Sequence, residues 1–396
     1  MQEMVHTADV VIIGGGCMGT SIAYHLAKRG IRDVVLVEKN FLASGATGKS
    51  SAIIRMHYST ETLAKMALYS FRIFQNFADA VGGNAGFVQA GFLVGVGPQS
   101  VEALKGSIAL QQGVGVNTRF VSPQEMKEIE PTLRVEDFGG GAYEPDSGYA
   151  DPSGTTVSFA RRARELGATI LQGTLVTDIL LQGGKVRGVR TSRGDISAPT
   201  VVLATGVWSP KLGEKIGVEF PIVSCRSKVL AVKRPPEFTP APKVFVDFVH
   251  QMYYRPETGE LSLVGSIDPR EAEDRIDPDA YSDDLTFETM EEYFGKACLR
   301  YPILERGYYK GGWAGPYDVT PDWHPILDAL PGFEGLYCAV GFSGHGFKLS
   351  PAIGEMMARL ITEGKCTEPA DISLFRFNRY AEGRLIQARY GYTVIG

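Results

Sequence analysis

Apolar and polar residues alternate near the start of the chain in a pattern that changes from strand to helix and back. The apolar runs at 10–13 and 34–37 predict two strands that are buried on both faces. Between them, residues 21–29 place apolar side chains at helical spacing among small residues. A glycine-rich turn at 14–19 separates the first strand from the helix. A strand, a glycine turn, a helix and a second strand are therefore predicted in that order.

The same two periodicities recur along the rest of the chain. Helical spacing predicts helices over 61–79, 98–112, 152–166, 285–298 and 351–363. Buried or alternating apolar runs predict strands over 86–96, 169–171, 176–182, 185–191, 200–204 and 336–340. Ser122 with Glu125 three residues later predicts a capped helix start. Regular alternation from 221 to about 317 indicates a mainly antiparallel sheet that covers a ligand.

The strand and glycine pattern of the N-terminal segment returns at 200–208 and 336–348, after long stretches of different character. This return predicts an α/β fold, α+β overall, in which a Rossmann-like nucleotide-binding domain is interleaved with a substrate domain. The substrate domain is expected to contain a mainly antiparallel sheet with flanking helices, and the length allows two domains. We expect residues 1–85, 150–220 and 319–396 in the nucleotide-binding domain and residues 86–149 and 221–318 in the substrate domain.

The first glycine turn fits the dinucleotide-binding pattern G-x-G-x-x-G. Gly14 allows the tight turn, Gly16 lets a pyrophosphate approach the backbone, and Gly19 lets helix and strand pack closely. The phosphates would lie at the helix N-terminus, where unpaired N–H groups favour negative charge. Glu38 ends the second strand, 19 residues beyond Gly19, where its carboxylate can accept a ribose 2′-OH. Because an acid repels a 2′-phosphate, the ligand is FAD or NAD rather than NADP.

Two other segments are suited to the same ligand. Residues 44–51 are small and polar and can pass close to a diphosphate or ribityl chain, although an ordinary loop has the same composition. Residues 341–348 form a second glycine-rich turn between a strand and a helix. Its backbone N–H groups and helix N-terminus can face a developing anion.

Composition excludes several other classes of protein. The net charge of −5 and the absence of a basic run argue against a nucleic-acid partner. No stretch approaches 18 apolar residues, and no signal sequence precedes the first strand, so we expect a cytoplasmic protein without a transmembrane segment. The five cysteines form no C-x-x-C pair, and the six histidines lack ligand spacing. Neither a disulfide framework nor a metal site is expected.

Six ordered elements of the chain resemble the superfamily of glycine oxidase, D-amino-acid oxidase and sarcosine oxidase. The branch of sarcosine oxidase and dimethylglycine dehydrogenase is the most similar. The elements are residues 14–19 with Glu38, residues 44–49, 148–152, 204–208, 320–322 and 341–348. The resemblance implies FAD rather than NAD. In a flavoenzyme the second glycine turn would stabilise the reduced isoalloxazine at N1 and C2=O.

The resemblance also implies where the substrate binds. Arg55 and Lys348 correspond to the basic pair that holds the substrate carboxylate in sarcosine oxidase, so that hydride can pass to flavin N5. For each, a solvated surface cation is the alternative. Tyr253, Tyr254 and Tyr317 match positions that line the pocket over the flavin, with core packing as the alternative. Together with the basic pair, Tyr254 and Tyr317 are the expected catalytic residues.

Two histidines complete the implied site. His57 is assigned to the substrate pocket, and His345 is expected to orient the flavin ring system or to serve as a structural histidine. The remaining expected contacts with FAD follow the motifs. They are Gly14, Gly16, Cys17, Met18, Gly19, Glu38, Lys39, Ser44, Gly45, Ala46, Thr47, Lys49, Ser50, Ser51, Val176, Ala204, Thr205, Gly206, Trp208, Gly315, Gly341, Phe342, Gly344, His345, Gly346, Phe347 and Lys348.

The chain also departs from the sarcosine oxidase pattern. Gly315 stands where the flavin-linking cysteine of monomeric sarcosine oxidase falls, and the surroundings of His57 do not match a histidyl link, so non-covalent FAD is expected. The lysine that speeds the reaction with oxygen falls near Leu263, and a second active-site arginine aligns with Ala52. A dehydrogenase that passes electrons to a quinone, an electron-transfer flavoprotein or a partner subunit is therefore an alternative to an oxidase.

We therefore predict an FAD-dependent oxidoreductase that oxidises the C–N bond of a small secondary or tertiary amino acid, such as an N-methyl amino acid or a proline-like imino acid. Two alternatives stay open. One is a dehydrogenase of D-amino acids or 2-hydroxy acids on the same fold. The other is a flavin-carrying subunit of a hetero-oligomer, in which the flavin serves assembly or electron relay.

Overall fold

The computed structural model describes residues 6–387, and within this range the chain forms nineteen strands and nine α-helices. The strands are β1 (Val10–Ile13), β2 (Val34–Val37), β3 (Ile53–Ile54), β4 (Phe92–Val96), β5 (Arg119–Val121), β6 (Gly140–Glu144), β7 (Gly148–Tyr149), β8 (Thr169–Leu171), β9 (Val176–Gln182), β10 (Lys185–Thr191), β11 (Gly194–Ser197), β12 (Thr200–Leu203), β13 (Val223–Lys233), β14 (Val244–Asp247), β15 (Met252–Glu257), β16 (Leu261–Ser266), β17 (Tyr308–Val319), β18 (Ile326–Ala329) and β19 (Leu336–Val340). The helices are α1 (Cys17–Lys28), α2 (Glu61–Gln75), α3 (Phe77–Ala80), α4 (Val101–Val114), α5 (Pro123–Ile129), α6 (Pro152–Glu165), α7 (Ser209–Glu214), α8 (Phe287–Arg300) and α9 (Ser350–Glu363).

A six-stranded sheet with the order β18-β19-β12-β1-β2-β8 forms one half of the structure. Its pairs are parallel except for the antiparallel edge pair β18 and β19. Alternate residues of β1 enter two different cores, with Ile12 in one hydrophobic cluster and Val11 and Ile13 in the other. Both faces of the sheet are therefore covered, which explains the uninterrupted apolar runs in the sequence.

The two faces of this sheet are covered by different structures. Helix α1 packs against α6 and α9, and these helices form the larger core with β1 and β2. The other core includes residues of the three-stranded antiparallel sheet β11-β10-β9. The strands come from separate stretches of sequence, as the return of the strand and glycine pattern predicted.

An eight-stranded sheet with the order β17-β13-β16-β15-β14-β4-β6-β5 forms the other half. All of its pairs are antiparallel except the parallel pair β14 and β4. Helix α8 packs against β13, β16 and β17. The predicted mixed fold with a mainly antiparallel second sheet is thus confirmed. The exact domain boundaries stay a prediction, and their residues 1–5 and 388–396 lie outside the described residues.

The structure forms some of the locally predicted elements as expected and others only in part. The capping box at the start of α5 forms, since the Ser122 N–H donates to Glu125 at 2.8 Å and the Glu125 N–H donates to the Ser122 hydroxyl at 3.3 Å. Of the strand predicted over 86–96, only β4 forms, because Gly86 and Gly91 adopt positive φ of 60° and 79°. Within residues 6–387, every helix is too short or too polar to cross a membrane.

Candidate functional site

A cavity of about 570 Å³ lies at the carboxyl ends of the parallel strands β1, β2 and β12. Its wall includes residues 14–18 of the first glycine turn and, from the second, Phe342, Gly344, Gly346 and Phe347. In open α/β sheets, ligands bind at this edge, and the volume is typical of a site for a small molecule or cofactor. We refer to this space as the large cavity.

The first glycine turn brings the start of α1 directly against the edge of the sheet. Gly14 has φ of +114°, and a Cβ there would lie 2.3 Å from the Ala204 carbonyl oxygen. A Cβ on Gly19 would lie 1.9 Å from the Gly14 carbonyl oxygen. The N-cap of α1, Gly16, makes no side-chain cap. The turn therefore forms a cradle that side chains would fill, and it presents a helix N-terminus to the large cavity.

Glu38 lies where β2 ends and lines the large cavity. Its carboxylate accepts the Gly15 N–H at 2.7 Å and the Asn40 N–H at 2.8 Å. The side chain thus fixes the first glycine turn, a role that the sequence reasoning missed. Because a carboxylate offers about four lone-pair positions, the predicted bond to a ribose hydroxyl is still possible.

The loop after β2 supplies part of the opposite wall. The Cys17 N–H, the first of α1, donates to the Thr47 hydroxyl at 3.1 Å. Burial raises the pKa of the Cys17 thiol to about 11, so the sulfur stays protonated at neutral pH. The loop therefore contacts the N-terminus of α1 through a neutral hydroxyl rather than a charged group.

Most residues predicted to contact the cofactor line the large cavity. They are Gly14, Gly16, Cys17, Met18, Glu38, Lys39, Ser44, Gly45, Ala46, Thr47, Ser50, Val176, Ala204, Thr205, Gly206, Trp208, Phe342, Gly344, Gly346 and Phe347. Three others, Ser51, His345 and Lys348, line a second, smaller cavity instead.

The remaining four residues line neither cavity, and their predicted contact with FAD stays a prediction. Gly19 packs against the backbone of Gly14 rather than facing the cavity. The Lys49 ammonium forms an ion pair with Asp283, and Gly315 faces the Lys49 side chain. Gly341 faces the Thr320 methyl group. At the three glycines, two segments of the protein come so close together that a larger side chain would collide. At Lys49, the ion pair with Asp283 accounts for the basic side chain.

Asp318 is a buried residue of the large cavity that no sequence motif indicated. Its carboxylate accepts the Gly341 N–H at 2.8 Å, and its carbonyl oxygen accepts the Ser343 N–H at 3.1 Å. Burial raises the pKa of this carboxyl to about 6, against the lowering effect of the amide donors. Part of the second glycine turn is therefore held by Asp318, so these N–H groups do not point at a ligand.

A segment of the half that contains the eight-stranded sheet also reaches the large cavity. Asp279 receives the Trp208 indole N–H at 2.7 Å and forms ion pairs with Lys39 at 3.1 Å and Lys211 at 2.7 Å. The Lys39 ammonium lies 3.7 Å from the centre of the Trp208 ring. These contacts connect the two halves across residues that line the cavity, and sequence spacing gave no signal for them.

The smaller cavity, of about 90 Å³, adjoins the large one and shares walls with it. Ser50, Tyr317, Gly344 and Phe347 line both cavities. Its other lining residues include the predicted basic pair together with Ser51, Ala52, Ile53, Val246, Tyr253, Ser266, Ile267, Trp323, Ser343 and His345. We refer to this space as the small cavity.

Arg55 and Lys348 are buried cations in the wall of the small cavity, with exposed fractions of 4% and 8%. The Lys348 ammonium donates to the His345 carbonyl oxygen at 3.5 Å and forms no ion pair with a carboxylate of residues 6–387. Burial, followed by the charge of Arg55, holds the pKa of Lys348 well below its ordinary value. An anionic ligand would therefore relieve the positive charge of this wall.

Tyr253 and Tyr317 lie where the sequence placed them, in the wall of the small cavity. The Tyr253 hydroxyl lies 2.6 Å from the Ser51 hydroxyl. Tyr317 packs against Gly344, where a Cβ would lie 2.2 Å from its ring. Burial raises the pKa of both phenols, so both side chains present neutral aromatic faces and hydroxyls.

The structure places Tyr254 and His57 outside both cavities, and their predicted roles at the substrate site stay predictions. Neighbouring residues of a strand point to opposite faces, so Tyr254 turns away from the cavity that Tyr253 lines. It packs on Phe245, and its hydroxyl donates to the Lys296 carbonyl at 3.4 Å. His57 is buried beside Phe92, outside both cavities, and burial lowers its pKa to about 3.

His345 is held in one tautomer. Its Nε2 lies 2.7 Å from the Trp323 carbonyl oxygen, which can only accept, so Nε2 carries the proton. Its Nδ1 then faces the Tyr58 hydroxyl at 3.5 Å. Because burial, followed by the charge of Lys348, keeps the pKa of His345 well below its ordinary value, the ring is neutral.

Three residues that line the small cavity adopt a left-handed backbone without being glycine. Ala52, Trp323 and Ser343 have φ of 49°, 58° and 49°. Such conformations cost about 1–3 kcal/mol each and persist where surrounding contacts impose them. Their concentration around one cavity supports its assignment as a functional site.

Glu144 is a second buried acid that sequence reasoning missed. Its carboxylate accepts the Met56 N–H at 2.9 Å and the Ser147 hydroxyl at 2.6 Å, next to the segment that carries Arg55. Burial raises its pKa to about 7, and the nearby charge of Arg55 opposes this rise. Glu144 thus contributes a negative charge behind the basic wall, outside the two cavities.

Comparison with known proteins agrees with this geometry. The family described as FAD dependent oxidoreductase matches residues 9–360, and the chain belongs to this family. FAD as the cofactor and the oxidoreductase class are thereby confirmed. The residues fit the cofactor, because the glycine cradle and uncapped start of α1 suit its diphosphate.

Individual relatives cover nearly the whole chain. Human mitochondrial sarcosine dehydrogenase is 30% identical over 92% of this chain, which spans only 40% of that protein. The sarcosine oxidase subunit beta of Arthrobacter sp is 30% identical over 96% of this chain and 92% of its own length. The crystal structure of L-proline dehydrogenase from P. horikoshii has a TM-score of 0.89 and 30% identity, covering 97% of this chain and 100% of that one.

We expect Gly19→Ala to lose bound FAD. The new Cβ would collide with the Gly14 carbonyl oxygen and move the start of α1 away from the sheet. The measurement is the ratio of flavin absorbance to protein absorbance after purification and gel filtration.

Gly113→Ala is the matched control, because Gly113 also lies in a helix but has open space around its Cα. Its flavin content should equal that of the wild type. Full flavin content in Gly19→Ala would contradict the cradle described for the first glycine turn.

Proposed function

We propose that this chain oxidises the C–N bond of a small secondary or tertiary amino acid, such as an N-methyl amino acid or a proline-like imino acid. The observation that carries the proposal is the pair of buried cations, Arg55 and Lys348, in a small cavity that adjoins the predicted FAD cavity. The relatives named sarcosine dehydrogenase, sarcosine oxidase subunit beta and L-proline dehydrogenase point to the same substrates.

Each wall of the small cavity has a proposed role. Arg55 and Lys348 bind the substrate carboxylate through charge-assisted hydrogen bonds. Tyr253 and Tyr317 face the amine and its apolar substituents, since their neutral rings suit both. The volume of about 90 Å³ limits the substrate to a small side chain. Bound FAD supplies the hydride acceptor.

No Asp or Glu among residues 6–387 lines the small cavity, and the one histidine, His345, donates its proton to a backbone carbonyl. We therefore propose no side chain as a general base that accepts a proton from the substrate amine. Instead, the amine binds neutral, because the desolvated, positively charged wall disfavours an ammonium ion. The residues orient the substrate and exclude water.

For reoxidation we propose an acceptor other than oxygen, namely a quinone, an electron-transfer flavoprotein or a partner subunit. Lys348 is the single lysine that lines the small cavity within the described range, and it is assigned to the carboxylate. The similarity to a beta subunit over 92% of that subunit's length supports a partner subunit in particular. In that arrangement the chain is the substrate-oxidising part of a larger assembly.

Anaerobic mixing of the holoenzyme with candidate substrates tests the proposed reaction. We expect sarcosine or L-proline to bleach the oxidised flavin band, whereas a D-amino acid and 2-hydroxyglutarate should not. Readmitted air should restore the band slowly, and an added quinone should restore it fast. Bleaching only by the hydroxy acid, or by no amine at all, would contradict the proposal.

Substitution of Lys348 tests the carboxylate site directly. Lys348→Met should weaken binding of pyrrole-2-carboxylate by about 1.5–3 kcal/mol, because a charge-assisted hydrogen bond is lost. The dissociation constant is measured from the perturbed flavin spectrum. Lys105→Met, which removes an exposed lysine of α4, is the control and should bind as the wild type does. Equal affinity in the two variants would mean that the substrate site lies elsewhere.

The buried charges also predict how binding depends on pH. A bound carboxylate raises the low pKa of Lys348, so binding takes up a proton and weakens as pH rises. A negative ligand also favours protonated Glu144, whose pKa is raised to about 7, and this effect has the same sign. Isothermal titration in buffers of different ionisation enthalpy measures the proton uptake.

Two variants distinguish the contribution of Glu144 to this pH dependence from that of Lys348. In Glu144→Gln the part of the pH dependence near pH 7 should disappear, and in Lys348→Met the part that comes from protonation of Lys348 should disappear. Binding that strengthens as pH rises in the wild type would contradict this electrostatic account.

A further inference from the structure

Tyr58 lies behind Arg55 and outside both cavities. We propose that Tyr58 is a positioning residue whose ring face fixes the Arg55 guanidinium towards the small cavity. The inference rests on the proposed function, in which Arg55 binds the substrate carboxylate.

The side chains of Arg55 and Tyr58 are in close contact and are buried from solvent. The guanidinium carbon of Arg55 lies 4.5 Å from the centre of the Tyr58 ring, within the range of a cation–π interaction. Tyr58 has an exposed fraction of 0% and Arg55 of 4%. Because water does not screen the pair, the attraction of the ring for the cation is stronger than at a surface.

Tyr58 is held from two other elements, by one contact to its backbone and one to its ring. The Tyr58 carbonyl oxygen accepts the side-chain N–H of Gln111, in α4, at 2.9 Å. The Tyr58 ring lies 5.9 Å from the ring of His345, in the second glycine turn. The His345 carbonyl oxygen in turn accepts the Lys348 ammonium at 3.5 Å. Tyr58 therefore connects Arg55 with the turn that carries the second cation.

The ring face, rather than the hydroxyl, carries the proposed effect. Burial raises the pKa of Tyr58 to about 12, so no phenolate is present to pair with Arg55. The hydroxyl lies 3.5 Å from Nδ1 of His345, at the outer limit of a hydrogen bond. Glu144 and the His57 carbonyl, which accepts an Arg55 N–H, are also close to Arg55, and neither group offers a ring face to the guanidinium.

Tyr58→Phe and Tyr58→Leu in the FAD-loaded enzyme separate the ring from the hydroxyl. Two probes are compared, pyrrole-2-carboxylate and the uncharged pyrrole-2-carboxamide, through the flavin spectrum. With the carboxylate, Tyr58→Phe should bind within about twofold of the wild type and Tyr58→Leu about tenfold more weakly. With the carboxamide, neither variant should change affinity appreciably. In Tyr58→Leu the factor by which kcat falls should be smaller than the factor by which KM rises.

Phe159→Leu is the matched control, because Phe159 is a fully buried ring of the same hydrophobic core, away from Arg55. It should leave the affinities for both probes unchanged. If Tyr58→Leu does not retain FAD, Tyr58→Met fills more of the same volume without a ring and is measured in the same way. Equal losses for both probes, or no selective loss for the carboxylate, would overturn the role of Tyr58.

Arg55→Met distinguishes this result from a failure of the proposed function. If Arg55→Met binds the carboxylate as the wild type does, the carboxylate site itself is misplaced, and the role of Tyr58 falls with it. If Arg55→Met loses affinity for the carboxylate and Tyr58→Leu does not, only the role of Tyr58 is overturned.

Discussion

The electrostatic cost of burying Arg55 and Lys348 within range of each other is the constraint around which the small cavity is organised. An isolated buried cation is unfavourable, and two that repel each other are more so. The protein offsets this cost with several weaker elements: the Tyr58 ring, the His57 and His345 carbonyl oxygens and the charge of Glu144. The offset is incomplete, since both cations keep lowered pKa values. The cavity is consequently prepared for an anion.

The fold brings this wall together from distant parts of the chain. Arg55 follows β3, which pairs with β7, and Lys348 lies between β19 and α9. Tyr253 and Tyr317 come from β15 and β17 of the eight-stranded sheet. The wall of the small cavity therefore exists only where the two sheets meet, beside the large cavity that the first glycine turn lines. This arrangement requires that the chain passes several times between the two sheets.

Sequence reasoning succeeded where the signal is local. The glycine turn, the capping box of α5 and the buried strands are encoded by neighbouring residues. The role of Arg55 and Lys348, which the resemblance implied, stays a prediction, although both residues line one cavity. Tyr254 lies outside both cavities because a shift of one residue along β15 decides which face of the sheet a side chain occupies. Tyr58, Glu144 and Asp318 were missed because their roles arise from burial and from partners far away in sequence. A single sequence contains no periodicity or spacing that reports such contacts.

The shared wall between the two cavities divides the lining residues into two groups with different freedom to vary. Tyr317, Gly344 and Phe347 belong to both cavities, so a change there alters cofactor and substrate sites together. Val246 and Ile267 line only the small cavity. Substitutions at aliphatic residues in the eight-stranded sheet, or directly after its strands, can therefore change the shape of the small cavity. The wall that the two cavities share stays unchanged.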